Sequence, residues 1–413
     1  MPRLGRWLAY AFAAIMIVLI VESAWFAPGT AITAPKAAAR MLSAPVPYPP
    51  DHRTALADAD RALATAQMRA ADNPGWLAEE MLARAHFERA RLTDSLADFV
   101  AAEQALARSM NLAPPRSGPH LLQAVFDLAM HRLDDAEAQL DRIMHYAIPP
   151  EAGERAQIEA MRGDIAFYRG RYERALRHYD RAEHLDPGSA EFRRAYFHAT
   201  RGDLGRGLML LDRAERGSGR PSVQLAARME LQRGVFSLEA GAVRRARTHF
   251  ARAEALFPGD WVIEEHVAEA HALLGHREDA ERRYRDIVER TQSPLFMDKL
   301  AGLARQRNDE SEARSWSRRA AAAWRARLAA FPEAYYAPAA EHCLAVDDRD
   351  CALRFARLNY RARPYGEAAA LLAEVLTSAG QERQARELAA AVDRTGWRSA
   401  RTRRLAALLA PSR

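Results

Sequence analysis

Two cysteines, thirteen histidines and a large set of carboxylates are the groups in this 413-residue chain able to do chemistry. Their spacing argues against most of it. Cys343 and Cys351 lie four residues either side of Asp347, where a turn between two helices is expected. Facing positions of such a hairpin bring Cα atoms within the roughly 4.4–6.8 Å that a disulfide needs. A bridge and two separate buried thiols both remain open, while Cys-x7-Cys is not a redox-active spacing. His266, His271 and His276 recur at steps of five. Each step turns a helix by about 140°, off any common face, so no metal site is expected there. There is no Gly-x4-Gly-Lys phosphate loop, and Gly202, Gly205 and Gly207 are in the wrong order for a dinucleotide fingerprint. Neither a Gly-x-Ser-x-Gly elbow nor His-Glu-x-x-His occurs. The expectation is a non-enzymatic protein without cofactor or metal.

Charge excludes a second class. Residues 1–50 carry Arg3, Arg6, Lys36 and Arg40 against Glu22, and the remainder holds 56 basic and 53 acidic groups. A body so near neutrality offers no footprint for nucleic acid. Only Lys36 and Lys299 are lysines. Arg394, Arg398, Arg401, Arg403 and Arg404 cluster near the C-terminus and read as a solvated helix face or as a contact with anionic lipid or a partner.

The N-terminal residues read as an address. An unbroken apolar run over 7–21 follows two arginines, the form of a secretory signal. Extended to Ala27 it is long enough to cross a bilayer as one helix. The segment 1–27 is therefore expected to be a signal anchor or signal peptide with its arginines inside and the body exported. Pro28, Pro35, Pro45, Pro47, Pro49 and Pro50 then mark 28–50 as an extended linker.

The elements that must position any site are helices. From residue 51 onward Pro and Gly fall at breaks between amphipathic stretches, and self-similarity appears at a period of 34. Residues 156–189 give the clearest unit, with Gly163, Gly170, Tyr172, Ala175, Tyr179, Ala182 and Pro187. Small residues there let two antiparallel helices approach, aromatic ones fill the seam, Gly170 turns the chain, and Pro187 stops the second helix. Residues 227–260, 261–294 and 366–399 repeat the pattern with decay.

This pattern resembles the tetratricopeptide repeat family over most of 83–399. The resemblance implies an all-α protein, an α-α superhelix of right-handed solenoid type with a concave groove, here behind an N-terminal signal-anchor or transmembrane helix. Divergent hairpins are expected over 51–116, the repeat array over 117–399, and a capping helix and tail over 400–413. Stacked repeats of this kind touch only their neighbours.

In that family, fixed first-helix positions line the groove. They carry acids here: Asp164, Glu269, Glu341 and Glu374 at one position, Glu265 and Asp298 at another. Phe167 and Tyr168 fall on the same face, either as anchors for a ligand or packed against the next helix. The series implies an affinity for a basic or arginine-bearing partner segment, with ordinary solubilising charge as the plain alternative. The function expected is a protein-interaction scaffold at the bacterial cell envelope, tethered to the inner membrane with periplasmic repeats, or periplasmic if the signal is cleaved. The rival is a periplasmic ligand- or polysaccharide-binding module in envelope polymer export. Trp76, Trp261, Trp316, Trp324 and Trp397 are spread along the chain and offer no stacked platform for sugars.

Overall fold

The computed structural model describes residues 49–217 and 222–409. The expected anchor over 1–27, nearly all of the linker and the last four residues lie outside that range. Among the described residues, no helix is long and apolar enough to cross a membrane.

The described chain is all helix. Helix α1 (His52–Asp72) precedes nine antiparallel hairpins: α2/α3 (Trp76–Thr93, Leu96–Leu112), α4/α5 (His120–Ala129, Leu133–Ile143), α6/α7 (Ala152–Tyr168, Tyr172–Leu185), α8/α9 (Glu191–Thr200, Leu204–Gly217), α10/α11 (Val223–Glu239, Val243–Leu256), α12/α13 (Trp261–Leu273, Arg277–Thr291), α14/α15 (Pro294–Gln306, Glu310–Ala330), α16/α17 (Pro332–Ala345, Arg349–Ala362) and α18/α19 (Gly366–Ser378, Glu382–Arg394). Helix α20 (Ala400–Leu409) closes the described chain.

Local chemistry explains the boundaries. Asp51, Ser95, Ser222, Asp260, Asp309 and Asp348 cap helix starts by accepting backbone N–H bonds two or three residues on. Each hairpin turns through one left-handed residue: Asp94, His131, Gly170, Gly202, Gly241, Gly275, Asn308, Asp347 and Gly380. Five of the nine are glycine, and three of the rest are Asp or Asn, the other residues that visit this conformation readily.

Within a hairpin the two helices meet over small residues. A Cβ placed on Gly163 would lie 2.3 Å from the Tyr179 ring, and one on Gly234 would meet Phe250 at the same distance. The aromatic side chain of the second helix thus occupies the room the glycine leaves. Ala175, Ala182, Ala246, Ala253, Ala280, Ala320, Ala352 and Ala385 are wholly buried in equivalent seams. The repeated geometry is that of tetratricopeptide-like hairpins, each burying its apolar face against the next.

The stack does not remain one-dimensional, which corrects the expectation of neighbour-only contacts. The superhelix winds back so that the ends of early first helices meet the starts of late ones. His52 donates its backbone N–H to Pro258 at 3.1 Å, and Trp261 Nε1 reaches the Arg91 carbonyl at 3.3 Å. Arg327 Nη2 donates to Asp94 Oδ2 at 2.8 Å across 233 positions. Phe126 packs edge-on against Phe331, Arg363 donates to His131 Nε2, and the Gly366 N–H donates to Tyr172 Oη at 2.8 Å. Burial, with the Arg363 charge adding, holds His131 well below the usual histidine range. It is therefore neutral and able to accept from the guanidinium.

Candidate functional site

The concave side of the later hairpins is built from the first helices α10, α12, α14, α16 and α18. The acids at their matching positions point inward, where α20 lies against α18 and α19. Entry to this interior is made by Trp397. Its ring packs on Tyr172, Phe167 and Tyr365, with centroids 6.2, 5.7 and 5.5 Å apart, and its Nε1 donates to Glu367 Oε2 at 3.2 Å. Gly366 permits this, because a Cβ there would sit 2.2 Å from the indole. The backbone N–H groups of Arg398 and Ala400 then donate to the Thr200 carbonyl at 2.8 Å and to Glu239 Oε2 at 2.5 Å.

Arg401 is the centre of the site. Its Nη2, Nε and Nη1 donate to Glu341 Oε1, Glu367 Oε1 and Glu374 Oε2 at 2.5, 2.7 and 2.5 Å. The guanidinium side chain is only 3% exposed. Burial opposes its charge, but three carboxylates outweigh burial and raise its pKa well above the ordinary value. Burial also pushes Glu341 up to about 8, against the pull of Arg401 and Lys299. Three acids converge on one fork, which is the geometry guanidinium recognition uses. The reading of the C-terminal arginines as a solvated face is therefore corrected for Arg401: the superhelix closes around it.

The other sequence-derived residues divide into separate contacts. Asp164 is buried in the third hairpin, where it accepts from Arg193 Nε at 2.9 Å and Tyr179 Oη at 2.9 Å. Burial still raises its pKa. Phe167 and Tyr168 face the interior but are covered by Trp397 and Tyr365. Asp298 accepts from His342 Nδ1 at 2.7 Å and Trp324 Nε1 at 2.8 Å. Glu265 and Glu269 flank His266 on α12, with candidate ligand atoms within 4.8 Å of one another and all three residues buried. Burial opposes charging of His266, yet the two carboxylates raise its pKa. Burial and Glu265 raise Glu269, against Lys299 and Arg404. His271 and His276 lie apart from this group, their rings 5.6 Å from each other at the turn after α12. The structure joins Cys343 and Cys351 in a disulfide across the α16/α17 turn, with Cα atoms 5.7 Å apart.

Sequence reasoning missed Glu367, Trp397 and the role of Arg401. Glu367 stands at the second position of the 366–399 unit, one of the first-helix positions that line the groove in the family, but the acidic series read from the sequence took only the fifth and ninth positions and passed over it. It also missed a cavity of about 380 Å³ between the ends of α6, α8 and α10 and the segment leading into α20. That cavity joins residues from both turns of the superhelix, and a repeat-by-repeat reading has no term for such a contact.

No protein-family model matches the chain, and no curated protein matches it in sequence. Among solved structures, pilF of Pseudomonas aeruginosa aligns at 17% identity over 52% of this chain and 94% of its own, with a TM-score of 0.36. Yeast Tom70 aligns at 13% identity over 87% and 86%, with a TM-score of 0.44. The Rap conjugation gene regulator of plasmid pLS20, solved with the Phr* peptide, aligns at 15% identity over 77% and 94%, with a TM-score of 0.46. The fold assignment rests on the repeated hairpin geometry described above.

Proposed function

We propose that the chain is a non-enzymatic protein-binding scaffold whose concave face takes an arginine-bearing helical segment. In this reading α20 is the resident occupant and a partner's segment exchanges with it. The observation that carries the reading is Arg401, gripped by three acids from two different first helices of the superhelix. The apolar run over 7–21 supports a setting at the cell envelope, with the repeats exported and the N-terminal segment as anchor or signal.

The test uses a labelled peptide of residues 395–413 added in trans to the full-length protein and to its Arg401→Ala and Trp397→Ala variants. The folded variants, with their own segment loosened, are expected to bind the peptide, and the wild type is not. Affinity is expected to fall with added salt, because the recognition is ionic. If neither variant binds while circular dichroism shows both folded, α20 is a permanent part of the fold and the exchange reading fails.

The cavity beside Trp397 favours a second reading, in which the protein also holds a small ligand.

A further inference from the structure

The cavity near Trp397 has the properties of a ligand site independently of whether α20 ever leaves. Its volume, about 380 Å³, falls in the range of small-molecule pockets. The rings of Tyr168, Tyr196, Phe236, Tyr365 and Trp397 line it. Such rings bury an apolar body favourably and present negative faces that attract a cation.

Glu239 is the acid at the end of α10 that borders this space. One of its oxygens accepts from the Ala400 N–H. Burial, with the nearby Glu367 adding, pushes its carboxyl up to about 7. The groups facing it are Glu367 on α18, Glu269 on α12 and Arg403 on α20. Glu367 already accepts from Arg401 and Trp397, so Arg401's charge is spent on its three acids. Arg398 donates to the Trp397 carbonyl and pairs with Asp393 at 3.0 Å. Arg403 is solvent-exposed. Arg398 and Arg403 also line the cavity, yet among the described residues no cation forms an ion pair with Glu239, so its carboxyl has no counter-charge in contact.

We propose that this cavity binds a small organic cation with an apolar body, an amine or quaternary ammonium, with its charge against Glu239 and its body between the aromatic rings. Because the site is formed partly by the segment entering α20, an occupied cavity also ties Trp397 more firmly to the first turn of the superhelix.

Calorimetric titration of full-length protein with benzyltrimethylammonium tests this, with phenylacetate as the anionic counterpart. Expected is saturable one-to-one binding of the ammonium and none of the carboxylate. Glu239→Gln keeps the shape and removes the charge, and should weaken binding by about tenfold or more. Ala240→Phe, at an exposed rim position, should block entry. Affinity should rise from about pH 6 to about pH 8 as the carboxyl ionises. No saturable binding, equal binding by Glu239→Gln, or preferential binding of phenylacetate would each overturn the proposal. These outcomes are separate from the peptide test, which reads release of α20 and requires no cation.

Discussion

Arg401 donates through Nε to Oε1 of Glu367 at 2.7 Å, joining the C-terminal helix to the first turn of α18. The same guanidinium also holds Glu341 and Glu374, so its loss would leave three buried carboxyls without their shared cation. Removing one member of a buried ion pair costs about 3–5 kcal/mol, most of it the desolvation of the partner left behind. Arg401→Met is therefore expected to lower unfolding free energy by about that amount. Arg401→Lys should recover part of it, since it restores charge but not the three-way fork. Urea denaturation followed by circular dichroism measures both, and equal stability of wild type and Arg401→Met would refute the assignment.

Gly366 faces the indole of Trp397 so closely that a Cβ would fall 2.2 Å from the ring and 2.7 Å from the Trp397 Cβ. The tryptophan is 2% exposed and hemmed in by Phe167, Tyr172 and Tyr365, so it has no room to retreat. Gly366→Ala should then cost about 1–3 kcal/mol through overpacking. It should also loosen the segment into α20. Hydrogen exchange is the discriminating measurement: faster exchange confined to residues near 397–409 is expected, whereas unchanged exchange there would contradict the packing argument.

The hairpins were legible because each seam is written locally. Gly163 and Tyr179 lie 16 positions apart, and the period repeats that pairing as Gly234 and Phe250. The acids were legible as a series for the same reason. What fills the groove was not, because Arg401 meets Glu341 across 60 positions and Ala400 meets Glu239 across 161. Such contacts depend on how far the superhelix turns per repeat, which small changes in helix packing determine and no single repeat encodes. A run of arginines also reads identically whether it is solvated or enclosed.

Glu239 makes stability fall as pH rises. Burial sets its folded value at about 7 against an ordinary 4.5, with Glu367 adding to the rise. Between those values the folded state holds a proton that the unfolded chain has released. This contribution is fully present below the unfolded pKa and is lost as pH rises through about 7. At 1.36 kcal/mol per unit, the loss is ~3 kcal/mol. Glu341, raised to about 8, acts in the same direction. Thermal melts should show a lower midpoint at about pH 8 than at about pH 5, and Glu239→Gln should flatten the difference. A steeper dependence in the variant would contradict the placement of this carboxyl.

Cys343 and Cys351 close a short loop across the α16/α17 turn, around Asp347 in its left-handed conformation. A bridge over eight positions removes loop-closure freedom from the unfolded chain worth ~2.5 kcal/mol, so reduction should cost about that much and no more. The native turn survives it: Asp348 still caps α17 by accepting from the Cys351 N–H at 3.0 Å, and Cys343 remains buried among Ala340, Ala352 and Leu376. Cys343→Ser with Cys351→Ser should thus fold with the hairpin intact but unfold at lower denaturant. Mass spectrometry after alkylation of the unfolded, unreduced protein decides whether the bond forms. No added label is expected, and two labels per chain would show the thiols to be free.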